Sequence, residues 1–470
     1  MLMTVSTISH SIAIPPPIAE PRTDFLSRGE AFNAGKSLQV KVPHALHAEW
    51  RPSGQPRDPV SILEESNRDR VAELIPIRYG RMVRSPFTFL RGSAGLMAAD
   101  LAATPVSGIR VQACGDCHLL NFGFFGSPER NLIFDINDFD ETLPAPWEWD
   151  VKRLAVSFAV AARDNDIGDT TAAAIRCARA YREGLRDFSK KSPLETMYAR
   201  LDGHTLIDMA TDAKDRKRHA KYVDKARQRL GEQIVPQITD VVGGRHRLID
   251  QPPLICHATA ALHDADVAAA LEAYRLSLPD ELHGMLDRYR LEDTAIKVVG
   301  IGSVGTRTYI GLFFSRDNHP LLLQFKEARP SVLEPYAGKS RYENQGQRVV
   351  VGQRLMQACS DIFLGWTRSR LGHDYFGRQL RDMKFSLPVD GYGARELKHY
   401  AKVCGWVLAR AHAKSGDAAM ISGYLGKSNQ FDLAIGAFAE AYADQNERDH
   451  AALVAAVKAG RVEALIEDDL

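Results

Sequence analysis

From Ser61 to Leu101 apolar residues recur at spacings of three and four (Leu63, Val71, Leu74 and Ile75, then Leu96, Met97 and Leu101). This pattern predicts helices joined through the turn SPFTFLRG. The pattern then changes. Ile109 to Cys114 and Leu132 to Ile136 are apolar runs of strand length around a loop rich in Gly, Asp and Asn, and NFGFF and NLIFDIN read as a hairpin about GSPER. Helical spacing returns over Trp149 to Arg163 and Thr170 to Phe188. Lys214 to Arg229 reads as a basic helix face in solvent. Further on, AIKVVGIGSVG, TRTYIGLFF and LLLQFKEAR, the last two separated by the polar turn SRDNHP, predict consecutive antiparallel strands. Glu343 to Ala358 reads as a helix, DIFLGW and DYFGRQL as strands, and Leu397 to Lys414 and Gln430 to Ala459 as Ala-rich helices.

Composition narrows the function classes. The chain has 470 residues, 45% of them hydrophobic, and a net charge of +1. It can therefore bury a large core, and no global field recruits a polyanion or an anionic membrane. Six scattered cysteines do not make a disulfide scaffold. The N-terminal stretch lacks a basic region before its apolar residues and is broken by Pro15, Pro16 and Pro17, so a cytoplasmic protein is expected, with neither membrane nor nucleic acid as partner.

Candidate chemistry lies in two places. Asp116 and Asn121 in CGDCHLLN have the D-x-x-x-x-N spacing of a kinase catalytic loop, in which Asp accepts the substrate hydroxyl proton and Asn holds Mg²⁺. A strand leads from there to Asp138-Phe139-Asp140, where a kinase carries a metal-binding Asp. If residues 132–140 stay extended, period two puts Asp138 and Asp140 on one face and Asp135 on the other, so Asp135 and Asp138 cannot share one metal. Asp138 is favoured because Asp138-Phe139-Asp140 looks like the D-F-G or D-F-D element and follows a strand, with Asp140 beside it and Asp135 in reserve.

Far downstream, Gly300-Ile-Gly302-Ser303-Val-Gly305 matches G-x-G-x-x-G. The β-branched and aromatic residues that follow predict a strand-turn-strand over ATP phosphates rather than the helix of a dinucleotide fold. Lys326 ends the next strand, where it would neutralise phosphates, with Glu343 or Glu334 as its carboxylate partner. In a kinase the glycine loop comes first in the chain; here it comes last, so a circularly permuted arrangement is expected. Cys114-Gly-Asp-Cys117-His118 has the form of a haem attachment sequence, but no export signal or second Cys or His pair supports haem or zinc. The Gly338-Lys-Ser340 and Gly426-Lys-Ser428 triplets lack the leading Gly of a P-loop.

The blocks RYGRMVRSPFTFLRG, CGDCHLLNFG, FDINDFDETLPAPWEWDVKRLA, VVGIGSVGTRTY and QFKEARPSVLEPY resemble the bacterial family called Domain of Unknown Function 2252. More distantly, the catalytic region is similar to aminoglycoside phosphotransferase-like kinases. Their H-G-D-x-x-x-x-N loop corresponds to Cys114 through Asn121, with Cys for His, their I-D-F-D element to Asn137 through Asp140, and their later D-L-A to Asp150 through Ala155. The resemblance implies an α+β, kinase-like two-lobe protein using ATP and Mg²⁺ to phosphorylate an unknown hydroxyl acceptor, a small molecule or a protein. A nucleotide-binding regulator or an AMP transferase on the same fold is the alternative.

The expected organisation is a mobile tail over 1–40, a catalytic-loop part over 41–160, a helical region over 161–290, a nucleotide-binding lobe over 291–390 and closing helices over 391–470. Asp116 would be catalytic. Asn121, Asp138 and Asp140 would hold metal, and Gly300, Gly302, Ser303, Gly305, Lys326 and Glu343 would bind nucleotide.

Overall fold

The computed structural model describes residues 26–51, 57–208, 213–229, 231–252, 255–257, 264–298, 300–380 and 382–466. The protein is a mixed α+β chain with small antiparallel sheets. Its helical layer is built around Trp147–Asp164, which is buried on nearly every face and packed by Ala172–Phe188, Ala394–Ser415 and Gln430–Lys458. Alanines over its last turns let those neighbours approach closely, yet it also buries Glu148, Asp150, Lys152 and Arg153. Charged side chains at that depth need partners, and two of them, Asp150 and Arg153, hold the candidate site together.

Two small sheets pack against this layer. Arg110–Ala113 pairs with Leu143–Pro146, and Phe122–Gly126 pairs with Leu132–Ile136 on one side and Phe385–Ser386 on the other. Phe122, Phe124 and Phe134 are almost completely buried here, each contributing roughly 1.5–3 kcal/mol. That burial fixes the hairpin following the Asp116–Asn121 loop.

The largest sheet has six strands in the order Gly365–Arg368, Asp374–Gln379, Pro320–Ala328, Thr308–Ser315, Tyr289–Lys297 and Ile255–Cys256, with every pairing antiparallel. The helices Gln345–Met356 and Asp264–Ser277 pack on it. From Gln379 the chain passes to Phe385, in the small sheet beside the hairpin that follows the Asp116–Asn121 loop, so one short connection joins the two sheets. Among the described residues no helix is long and apolar enough to cross a membrane.

Three expectations need correction. Residues 1–25 lie outside the described residues, but the tail expected to reach residue 40 is ordered from Arg28, where Arg28–Lys41 forms a helix. Its signal is the capping box of Ser27 and Glu30, and the helix docks so tightly on Ala418–Leu425 that a Cβ at Gly35 would meet the Met420 carbonyl. SPFTFLRG is a helix, Pro86–Gly92, started by a Ser85 cap with Pro at its first position, and not a turn. The 161–290 region is not helical throughout, because Thr239–Val242 and Arg245–Leu248 form a hairpin. Its turn is Gly243-Gly244, both at positive φ, as a two-residue hairpin connection requires.

Candidate functional site

The Cys114–Asn121 loop is held from below. Asp150 accepts hydrogen bonds from the Cys114 amide at 2.7 Å and the Gly115 amide at 3.0 Å. His412 Nε2 lies 3.2 Å from the same carboxylate, and the Tyr181 hydroxyl is 2.8 Å from His412 Nδ1. A buried Tyr-His-Asp chain thus fixes the loop backbone. Cys114 and Cys117 lie close to Asp150, but both Asp150 oxygens are engaged by amides and burial pushes both thiols up. These thiols are inert core groups.

Above this base, Arg153 donates through Nε to Asp116 Oδ1 at 2.7 Å and through Nη2 to the same oxygen and the Leu90 carbonyl. Asp116 Oδ2 has no such bond and faces the glycine loop. Asn121 donates from Nδ2 to the Asp116 carbonyl at 2.6 Å, which leaves Asn121 Oδ1 without a protein donor among the described residues. His118, between them, is 4% exposed; burial pushes its imidazole down to about 4, so it is neutral near pH 7.

The strand ends at Ile136, short of the extended 132–140 that the period-two reading supposes, so Asp135 lies within it and Asp138 and Asp140 in the loop and turn that follow. Asp135 points into the core, where Arg410 Nη2 meets its oxygens at 2.7 and 2.8 Å and the Ala358 amide at 2.8 Å completes the set. It is structural. Asp138 and Asp140 turn the other way and line a cleft. Lys326, 3% exposed, enters from the six-stranded sheet; its Nζ pairs with Asp140 Oδ2 and stands 4.0 Å from Asp138 Oδ2. Burial opposes the charge on Lys326, but Asp138 and Asp140 outweigh it and raise its pKa. Burial would likewise raise Asp138, yet Lys326 and Arg378 hold it low; Asp140 is raised by burial and by the charge of Asp138.

The glycine turn covers this group. Gly300 and Gly305 have φ of 67° and 86°. A Cβ at Gly305 would also press on Arg70 at 3.0 Å, and one at Gly302 would lie 3.3 Å from the Arg91 carbonyl and 3.9 Å from Asp116 Oδ2. Only glycine lets the turn descend this far. Ser303 Oγ is 3.4 Å from Asp140 Oδ2, so the turn from the large sheet touches the acid segment directly. No helix follows Gly305; the next element is the strand Thr308–Ser315. Asp116, His118, Asn121, Asp138, Asp140, Gly300, Gly302 and Ser303 all line one cleft enclosing about 1140 Å³, its open mouth included.

Glu343 does not join them. It is exposed, lies ahead of the helix Gln345–Met356, and contributes only its carbonyl, to Arg368. Glu334 instead accepts from the Ser340 amide. The helix docks through Arg348, which donates to the carbonyls of Thr142 at 2.7 Å and of Asp140 and Arg329 at 2.8 Å. The partner expected for Lys326 from the helix is therefore supplied by Asp140, because that helix carries no acidic residue. Sequence reasoning does not single out Arg153, Arg348 or Arg378 as site residues. Their one signal was Arg153 three residues beyond Asp150 within an apolar helix.

The donor set suits Mg²⁺ and polyphosphate chemically. Asp138, Asp140 and Asn121 Oδ1 are hard oxygen ligands, and Asp138 keeps 37% of its side chain open to the cleft. Lys326 and the backbone of the glycine turn suit phosphate oxygens.

Fold and site together define a mixed α+β protein whose antiparallel sheet lowers a glycine turn and a lysine onto an acidic loop from the helical layer. A family model described as an uncharacterized protein conserved in bacteria (DUF2252) matches residues 70–456, and the chain belongs to that family. No curated protein and no solved structure matches it.

Proposed function

We propose that this cleft binds ATP with Mg²⁺ and transfers the γ-phosphoryl group to a hydroxyl acceptor, on a kinase-like two-lobe architecture permuted in chain order. The observation that carries the reading is the meeting of remote segments: Lys326 and Ser303 from the large sheet against Asp140, with Asp116 and Asn121 in the same cleft. Asp138, Asp140 and Asn121 would hold Mg²⁺, which offsets charge on the phosphate oxygens. Lys326 and the glycine turn bind and orient the triphosphate, and the turn excludes water above it. Asp116, fixed by Arg153 through Oδ1, presents Oδ2 to the acceptor hydroxyl. The hydroxyl oxygen forms the new bond to phosphorus as the β–γ bridging bond breaks, its proton passes to Asp116, and ADP leaves with the bonding pair.

Calorimetry with magnesium and ATP tests binding, and γ- against α-labelled ATP in a bacterial extract tests transfer. Saturable heat and γ-label on an acceptor are expected, both abolished in Asp138→Ala without loss of fold. Unchanged ATP consumption in that variant overturns the assignment. The hold of Arg153 on Asp116 favours a second reading, a nucleotide-binding regulator, which predicts nucleotide heat with no transfer. Retention of α-label would instead indicate AMP transfer.

A further inference from the structure

The same cleft holds a group of cations that the triphosphate reading leaves without a task. Arg70, Arg78 and Arg91 line it, and none has a carboxylate within ion-pair distance among the described residues. Arg78 is 2% exposed; it donates to Asn67 Oδ1 and the Gly92 carbonyl, both at 2.6 Å, and its Nε has no partner. Arg70 reaches the Ser66 carbonyl at 3.3 Å and the Val304 carbonyl at 2.5 Å, which leaves its second terminal nitrogen unused. Arg91 makes no hydrogen bond among the described residues, and its Nε is shut off from solvent. His118 Nδ1 is likewise buried without a partner.

Arg78 is buried and Arg70 and Arg91 are half-buried in the cleft wall, so three guanidiniums without an ion-pair partner among the described residues crowd one partly dehydrated surface, which favours an anion there. Burial lowers the pKa of all three arginines, and Arg78 adds its repulsion at Arg70. Position says which acceptor. A Cβ at Gly302 would touch both the Arg91 carbonyl and Asp116 Oδ2, so Arg91 belongs to the Asp116 end of the cleft. The strongest favourable charge felt by Arg91 is that of Asp116. Lys326, which serves the triphosphate, instead pairs with Asp140.

We propose that Arg70, Arg78, Arg91 and His118 form a subsite for a phosphate group carried by the acceptor, so that the acceptor is a phosphorylated alcohol. Three guanidiniums that are in no ion pair among the described residues suit a dianion, and guanidinium forks suit its tetrahedral oxygens. A single carboxylate would need only one of them. This inference rests on the proposed phosphoryl transfer for the role of the acceptor, but the anion subsite can be tested apart from it.

The test is calorimetry of the full chain with inorganic phosphate, alone and with saturating magnesium and a non-hydrolysable ATP analogue, and with acetate as a second anion. Phosphate is expected to bind in both conditions and acetate at least tenfold more weakly. Arg91→Met should weaken phosphate about tenfold or more while leaving the affinity for the ATP analogue within about twofold. Arg91→Lys should recover part of the loss. Should Arg91→Met fail to fold, His118→Phe serves, with the same expected loss. Displacement of phosphate by the ATP analogue, equal binding of acetate, or no phosphate heat overturns the subsite. Phosphate binding that depends on Arg91, with no heat from the ATP analogue, upholds the anion site and defeats the nucleotide reading instead.

Discussion

Lys326→Met removes the ammonium that bridges Asp138 and Asp140. At the 4.0 Å separation of Lys326 and Asp138, an effective dielectric near 20 gives an attraction of about 4 kcal/mol. The carboxylates are 37% and 25% exposed to the cleft, and returning the lysine to solvent offsets part of the loss. A net destabilisation of about 2–3 kcal/mol is therefore expected, a fall of a few degrees in Tm. The sign with pH is defined. Without the lysine, two adjacent carboxylates repel in the folded state and their pKa values rise above the unfolded ones. The variant's deficit should be small near pH 4 and grow as pH rises through the carboxylate range toward 7. Millimolar MgCl₂ then distinguishes a metal site from a structural ion pair. A divalent ion on Asp138 and Asp140 restores the missing charge, so Mg²⁺ should raise the Tm of Lys326→Met more than that of the parent, where the lysine competes. Scanning calorimetry at pH 7 with and without Mg²⁺ measures both shifts. A destabilised variant that Mg²⁺ leaves unmoved refutes the assignment of these acids as metal ligands, and a variant as stable as the parent refutes the electrostatic reasoning.

The other predictions concern groups around that centre. Arg410→Met strands the Asp135 carboxylate in the core and should cost about 3–5 kcal/mol in urea unfolding, with no change in nucleotide affinity for whatever folds. Gly305→Ala forces a side chain to φ of 86° against Arg70 and should lower nucleotide affinity by about tenfold, read by calorimetry, with a loss of stability near 1–2 kcal/mol. Lys152 is fully buried with no hydrogen-bond partner, and burial, partly offset by Glu148, pushes it down to about 7. Because the unfolded lysine titrates near 10.4, the unfolded chain binds more protons between pH 7 and about 10, and parent stability should rise across that window. Lys152→Met should be more stable by about 2–4 kcal/mol at pH 7 and flatter over the same range; equal slopes in the two proteins would count against the depressed lysine.

What the sequence could reveal followed from how far apart the interacting residues lie. Strands such as Leu132–Ile136 and Pro320–Ala328 announce themselves as short apolar runs bounded by turn residues, whereas the strand ends at Ile136, so the separation of Asp135 from Asp138 is set by the loop after it and not by the pleat. The Arg28–Lys41 helix and the Gly243-Gly244 hairpin were equally local, a capping box and a two-glycine turn, yet they were masked by a proline-rich neighbour and by helical surroundings. The partner of Lys326 is a different matter. The expectation of Glu343 assumed that a helix after the strand must supply the carboxylate, but the helix has none and Asp140 sits far back in the chain. Arg153, Arg348 and Arg410 read as ordinary helical residues, because nothing within a few positions of them tells which carboxylate or carbonyl they reach.

Arg348 and Arg378 explain how the site can stand on segments so distant along the chain. Arg348 ties the helix on the large sheet to the backbone at Asp140 and Thr142, and Arg378 donates to the Asn137 carbonyl at 3.3 Å from a neighbouring strand. Both anchor main-chain oxygens of the acid segment rather than its carboxylates. On the proposed reading, Asp138 and Asp140 would consequently keep their place if a metal ion replaced the lysine as partner of their side chains. Had the sheet been fastened through those carboxylates alone, every ligand that competed for them would have loosened the cleft it was meant to enter. The backbone anchors predict the opposite: ligand binding that exchanges partners at Asp138 and Asp140 without moving Arg348.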